Sequence, residues 1–132
     1  MENKIHTFTD IKLIFCWMTK RCEPFLANPE IAERVKILLA QDCRSDGISI
    51  LELKIGKDYV FVSLLTPARH SASQIMTKLK GRSSRQLSIE FPDVMKEFDV
   101  YNNTWERGYF CRSFGDLDKQ PVRDYILGKR QE

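Results

Sequence analysis

An α+β fold with four antiparallel strands follows from three features of the sequence. Short runs rich in β-branched and aromatic residues alternate with longer stretches of helical periodicity, in the order β-α-β-β-α-β-α. The second and third strands are separated only by Gly56-Lys57-Asp58, a link short enough to require an antiparallel hairpin. No internal repeat or low-complexity tract divides the 132 residues, so 1–132 reads as a single domain.

Each element has its own signal. Ile11 to Thr19 is a nearly unbroken β-branched and aromatic run and reads as a mostly buried strand. Asn28-Pro29 opens a helix, with Asn as N-cap and Pro in the first turn; Ile31, Val35, Leu38 and Leu39 recur at helical spacing, and Gly47 closes it. Strands follow over Ile48 to Ile55 and Tyr59 to Leu65. A second helix starts near Ser71–Ser73, with Ile75, Met76 and Leu79 inward. Gly81 is expected to interrupt it, with Leu87 resuming the apolar face beyond. Pro92 opens a short acidic segment. Trp105 to Phe114 alternates as a fourth strand ended by Gly115. The last helix starts at Asp118 or Pro121 and carries Val122, Tyr125 and Ile126. Two βαβ-type units sharing one sheet, helices packed on one face and a further helix at the C-terminus, amount to the ferredoxin-like plan.

Composition excludes more than it selects. At 42% hydrophobic and 30% charged residues the chain can bury a core, and Lys12, Lys20 and Arg21 break its most apolar early stretch, so no membrane span is expected. Met1-Glu2-Asn3-Lys4 opens no export signal, and Cys16, Cys22, Cys43 and Cys111 form no CxxC pair; a reducing cytoplasm fits both. His6 and His70 lie on different elements, and phosphate-loop and GxSxG motifs are missing. Net charge is only +3, but its distribution is uneven. No acid occurs from Tyr59 to Ile89, where Arg69, Lys78, Lys80, Arg82 and Arg85 fall; Glu90, Asp93, Glu97 and Asp99 then cluster. Such segregation suits a polyanion partner or an ordinary solvated helix face. Tyr125 is the remaining nucleophile candidate, one turn from Lys129, a pair that packing explains equally well.

Four segments in order carry a resemblance: Ile11 to Lys20-Arg21, Leu79-Lys80-Gly81-Arg82-Ser83-Ser84-Arg85, Trp105-Glu106-Arg107-Gly108-Tyr109-Phe110 and Tyr125-Ile126. Together they resemble the small single-tyrosine transposases of the HUH superfamily, the transposase-A type of minimal insertion sequences. The resemblance implies a ferredoxin-like fold, a homodimer with composite sites and recognition of single-stranded DNA hairpins. It also implies a strand with a His-hydrophobic-His pair holding a divalent metal, a helix tyrosine that attacks the phosphodiester, and a glutamine ligand four residues later.

Carried over by position, the histidine motif falls on Asp58-Tyr59-Val60-Phe61, the nucleophile on Tyr125 and the glutamine on Lys129. Tyr59 and Phe61 stand where imidazoles belong. A phenol ligates only after losing a proton near pH 10, a phenyl ring not at all, and an ammonium repels a cation. The resemblance places DNA contacts at Lys20, Arg21, Lys78, Lys80, Arg82, Ser83, Ser84 and Arg85, and Tyr59 and Phe61 offer faces for unpaired bases if exposed. Three functions follow as expectations. One is a hairpin binder impaired in metal-dependent cleavage, with no cofactor. The second is a transposase with a rebuilt site, using Tyr125 with Asp58 or Lys129, for which Mg²⁺ or Mn²⁺ returns as an option. The third is a partner or inhibitor of an intact transposase that does not touch DNA. Neither a membrane nor a small-molecule substrate is implied.

Overall fold

The structure, a computed structural model, describes residues 10–113 and 120–131. Met1 to Lys4, His6, Phe114, Gly115 and Asp118 lie outside these residues. Strands β1 (Asp10–Met18), β2 (Ser49–Ile55), β3 (Tyr59–Pro67) and β4 (Phe110–Ser113) form one sheet in the order β2-β3-β1-β4. Every neighbouring pair is antiparallel, with Asp10 opposite Pro67 and Met18 opposite Tyr59 in the central pair. Helices α1 (Pro29–Ser45), α2 (Ala72–Glu90) and the short α3 (Pro92–Glu97) fill the crossovers, and α4 (Gln120–Arg130) follows β4. This is the ferredoxin-like arrangement expected from the element order.

Local chemistry fixes the helix starts. The Asn28 side chain accepts from the Glu30 N–H at 2.9 Å, and Pro29 occupies the first turn of α1. Ser71 and Gln74 form a reciprocal capping box at α2. The expected break at Gly81 does not occur: α2 runs unbroken for 19 residues, because Ile75, Met76, Leu79 and Leu87 pin both halves to one core. The fourth strand is also shorter than its alternation suggests. Trp105 makes a single bridge to Thr19, and the ladder resumes only at Phe110. Between them Gly108 takes a left-handed φ of 85°, and the Glu106 and Gly108 carbonyls accept from the Lys80 ammonium instead of a neighbouring strand.

The sheet is covered on both faces, which explains why Ile14 to Met18 and Val60 to Leu64 are buried without a gap. Phe15, Trp17, Val60, Val62 and Leu64 join residues of α1 and α2 in the larger core. Ile14, Cys16, Met18 and Phe61 join Val122 and Ile126 of α4 in a smaller one. The two long helices thus share one face as expected, and the tyrosine helix takes the other.

Each core holds a buried thiol. Burial first, with Asp58 adding, pushes Cys16 from an ordinary 9.0 up to about 12, and burial with Asp42 and Asp46 does the same to Cys43. Unfolded thiols ionise first, so stability is intact below 9.0 and falls as pH rises from there toward about 12. Urea midpoints across this window should decline, and the Cys16→Ala/Cys43→Ala double variant should flatten the decline.

Candidate functional site

The face beneath α4 is assembled from alternate residues of three strands. Tyr59 and Phe61, two positions apart on β3, both belong to its cluster, as strand periodicity requires. Val122 and Ile126, one turn apart on α4, close over them and are 4% and 8% exposed. Half-buried Tyr125 lies at the rim, its ring 5.7 Å from that of Phe110. Phe61 is 3% exposed, so the expectation that it offers a face to unpaired bases is not met; the helix takes that face. Tyr59 is half-buried, and its ring lies over Gly56, where a Cβ would fall 2.0 Å from a ring carbon. A cavity of only about 110 Å³ remains between Lys54, Tyr59, Phe61, Val122, Arg123 and Ile126.

Asp58 is drawn away from this cavity. Its carboxylate is 2% exposed and accepts from Arg130 Nε at 2.8 Å and Nη2 at 2.7 Å, which ties the end of α4 to the β2–β3 turn. The pairing raises Arg130 above its ordinary value. Lys129 lines a pocket of about 270 Å³ with Met18, Arg21, Cys22, Glu106 and Arg130. The Glu106 carboxyl is held below the usual range, chiefly by the Arg21 backbone N–H at 3.0 Å, with Lys20 and Lys129 adding charge.

These residues do not fit a divalent cation. Phe61 has no donor atom, the Cys16 thiol stays neutral, and the Asp58 oxygens are engaged by a guanidinium. Among the described residues, no three His, Cys, Asp or Glu side chains cluster at metal-binding distance.

The basic segments meet at a different place. Lys80 donates to the Glu106 and Gly108 carbonyls at 2.8 and 2.9 Å, and burial lowers its ammonium below the ordinary value. Ser83 is fully buried; its hydroxyl donates to Leu79 O and accepts from the Trp105 indole N–H at 2.9 Å. Ser84 bonds Thr104 Oγ1 at 2.9 Å. Arg21, at a left-handed φ of 53°, donates to the Phe98 and Asp99 carbonyls, while the Lys20 N–H reaches Thr104 O. Lys80, Ser83, Ser84 and Arg21 therefore knit α2, the 104–108 segment and the end of β1 together. Placing Ser83 at a phosphate is corrected by this geometry, since its hydroxyl is enclosed.

The remaining cations differ in freedom. Lys78 pairs with Asp46 at 2.8 Å. Arg82 pairs through Nε with buried Asp42 at 2.9 Å, yet its side chain stays 67% exposed with terminal N–H groups available. Arg85 is exposed, with no hydrogen bond or ion pair among the described residues. Half-buried Lys20 borders Glu106. Sequence reasoning missed Arg130 and the Glu106 carboxylate. Arg130 meets Asp58 across 72 positions, which no local pattern encodes.

Residues 7–129 match the family described as transposase IS200 like. The chain belongs to the IS200-like transposase family. It is 31% identical over 96 residues to the transposase for insertion sequence element IS200 of Salmonella typhimurium, covering 72% of this chain and 61% of that one. The chain thus spans less than two thirds of that relative. The ISDra2 transposase TnpA of Deinococcus radiodurans is 22% identical over 110 residues, 83% of this chain and 77% of its own. In fold, a crystal structure from Deinococcus radiodurans R1 assigned as a transposase superposes with a TM-score of 0.81 at 21% identity, covering 92% of both chains. A REP-associated tyrosine transposase bound to a REP hairpin gives 0.60 at 9% identity, over 92% of this chain and 64% of that one. The family membership agrees with the resemblance carried by the sequence motifs. Among the described residues, no helix is long and apolar enough to cross a membrane.

Proposed function

We propose that this IS200-like family protein binds single-stranded DNA hairpins as a cytoplasmic homodimer and does not cleave them by the metal-dependent route that the motif resemblance implies. The observation that carries the reading is Phe61, 3% exposed in the apolar cluster beneath α4, at a position the motif alignment gives to a metal-ligating histidine. Without a cation to polarise the phosphodiester, several kcal/mol of transition-state stabilisation are missing. Support for hairpin binding comes from a fold relative that holds a REP hairpin and from the exposed guanidiniums of Arg82 and Arg85.

The test is incubation of the purified protein with labelled single-stranded hairpins from its own flanking DNA, in Mg²⁺, Mn²⁺ or EDTA. Native and denaturing gels are run in parallel. A native shift that vanishes on denaturation in all three conditions is the expected result. A denaturation-stable adduct abolished by Tyr125→Phe means that the site is rebuilt and cuts. No shift of any hairpin, with Arg82→Glu/Arg85→Glu silent in cells, favours a protein partner instead.

A further inference from the structure

We infer that a groove on the outer side of α2 seats an unpaired nucleotide of single-stranded DNA, its phosphate on Arg85 and its base against Tyr101. This rests on the hairpin-binding reading and extends it from Arg85 to the groove beside Tyr101. The groove is about 580 Å³ and is lined by Gly81, Ser84, Arg85, Ile89, Tyr101 and Asn102. No carboxylate is among these six residues, and the groove lies on the helical side of the sheet, across from Tyr125.

Three observations converge on it. Gly81 sits in the interior of a helix, where glycine weakens the element relative to alanine. The fold does not need it: a Cβ there would meet nothing within 4 Å. Its effect is to keep the helix surface low where it lines the groove. One turn later, Arg85 is the one cation of α2 with no partner among the described residues. It also borders the neighbouring groove of about 460 Å³ between α1 and α2, where Arg34 and Arg82 are paired with Glu90 and Asp42, so Arg85 carries the charge left uncompensated there. Finally, Tyr101 and Ile89 are 43% and 59% exposed, and the Lys96 ammonium stands 4.9 Å from the Tyr101 ring centroid. A partly exposed aromatic ring with an ammonium over one face, an apolar neighbour and an uncommitted guanidinium suit a base on the other face with its phosphate beside it. An apolar protein partner would leave the Arg85 charge uncompensated.

The experiment compares a blunt hairpin with the same hairpin carrying a short thymidylate tail, by fluorescence anisotropy on the full chain. In the unsubstituted protein the tail should tighten binding about tenfold. Tyr101→Ala and Gly81→Leu, each checked for folding by circular dichroism, should erase that gain, read as the ratio between the two probes within each variant. Arg85→Ala should lower the salt slope for the tailed probe by about one. A tail that gives no gain, or a gain untouched by Tyr101→Ala and Gly81→Leu, overturns the inference and leaves hairpin binding standing. Failure to bind either probe overturns the hairpin reading and this site with it.

Discussion

Trp105→Ala is expected to lower unfolding stability by about 4 kcal/mol, in the range for a large aromatic removed from a packed core. Trp105 is 6% exposed, meets Trp17 edge-on at 6.0 Å and 90°, and approaches Phe25 at 6.2 Å. Its indole N–H is satisfied by Ser83, so the substitution opens a cavity and also removes a buried hydrogen bond, although the Ser83 hydroxyl keeps its bond to Leu79 O. Ser83→Ala should cost less, about 1–2 kcal/mol, by leaving that N–H without an acceptor. Urea unfolding measures both. A Trp105→Ala loss below about 1 kcal/mol would contradict a structural role for this seam.

Arg130→Ala carries the second large effect, about 3 kcal/mol, because it leaves the Asp58 carboxylate buried and unpaired. The figure is set by Asp58, at 2% exposure, since the Arg130 side chain is 36% exposed and its own contribution is screened by solvent. Adding Asp58→Asn should recover most of the loss, as a neutral amide tolerates burial better than a lone charge. A double-mutant cycle in urea, joined to hydrogen exchange on α4, separates the alternatives. Equal losses in Arg130→Ala and in the double variant would show that the unpaired Asp58 charge is not the source of the cost.

Much of the fold could be read along the chain because its signals are local. Asn28-Pro29, the Ser71 cap and the three-residue Gly56-Lys57-Asp58 turn act within a few residues of themselves, and the helix starts and hairpin fall where they point. Two readings failed for a shared reason. Gly81 and the 105–109 stretch were judged by propensity and alternation, yet side chains distant in sequence hold α2 straight and draw Trp105 and Lys80 together. The candidate site divides likewise. Periodicity put Tyr59 and Phe61 on one face, but it could not say that α4 covers that face.

By itself, then, the sequence determined the element order, the ferredoxin-like plan and the transposase kinship, since periodicity, caps and motif spacing are carried by neighbouring residues. Only the tertiary structure decided what the motif residues do. A lysine or serine presents the same chemistry to a phosphate as to a carbonyl or an indole, and partner choice depends on what folding brings within about 3 Å. For Lys80, Ser83 and Ser84 that partner is the 104–108 segment. For Asp58 it is Arg130, and of the α2 cations Arg85 is left facing solvent without a partner among the described residues.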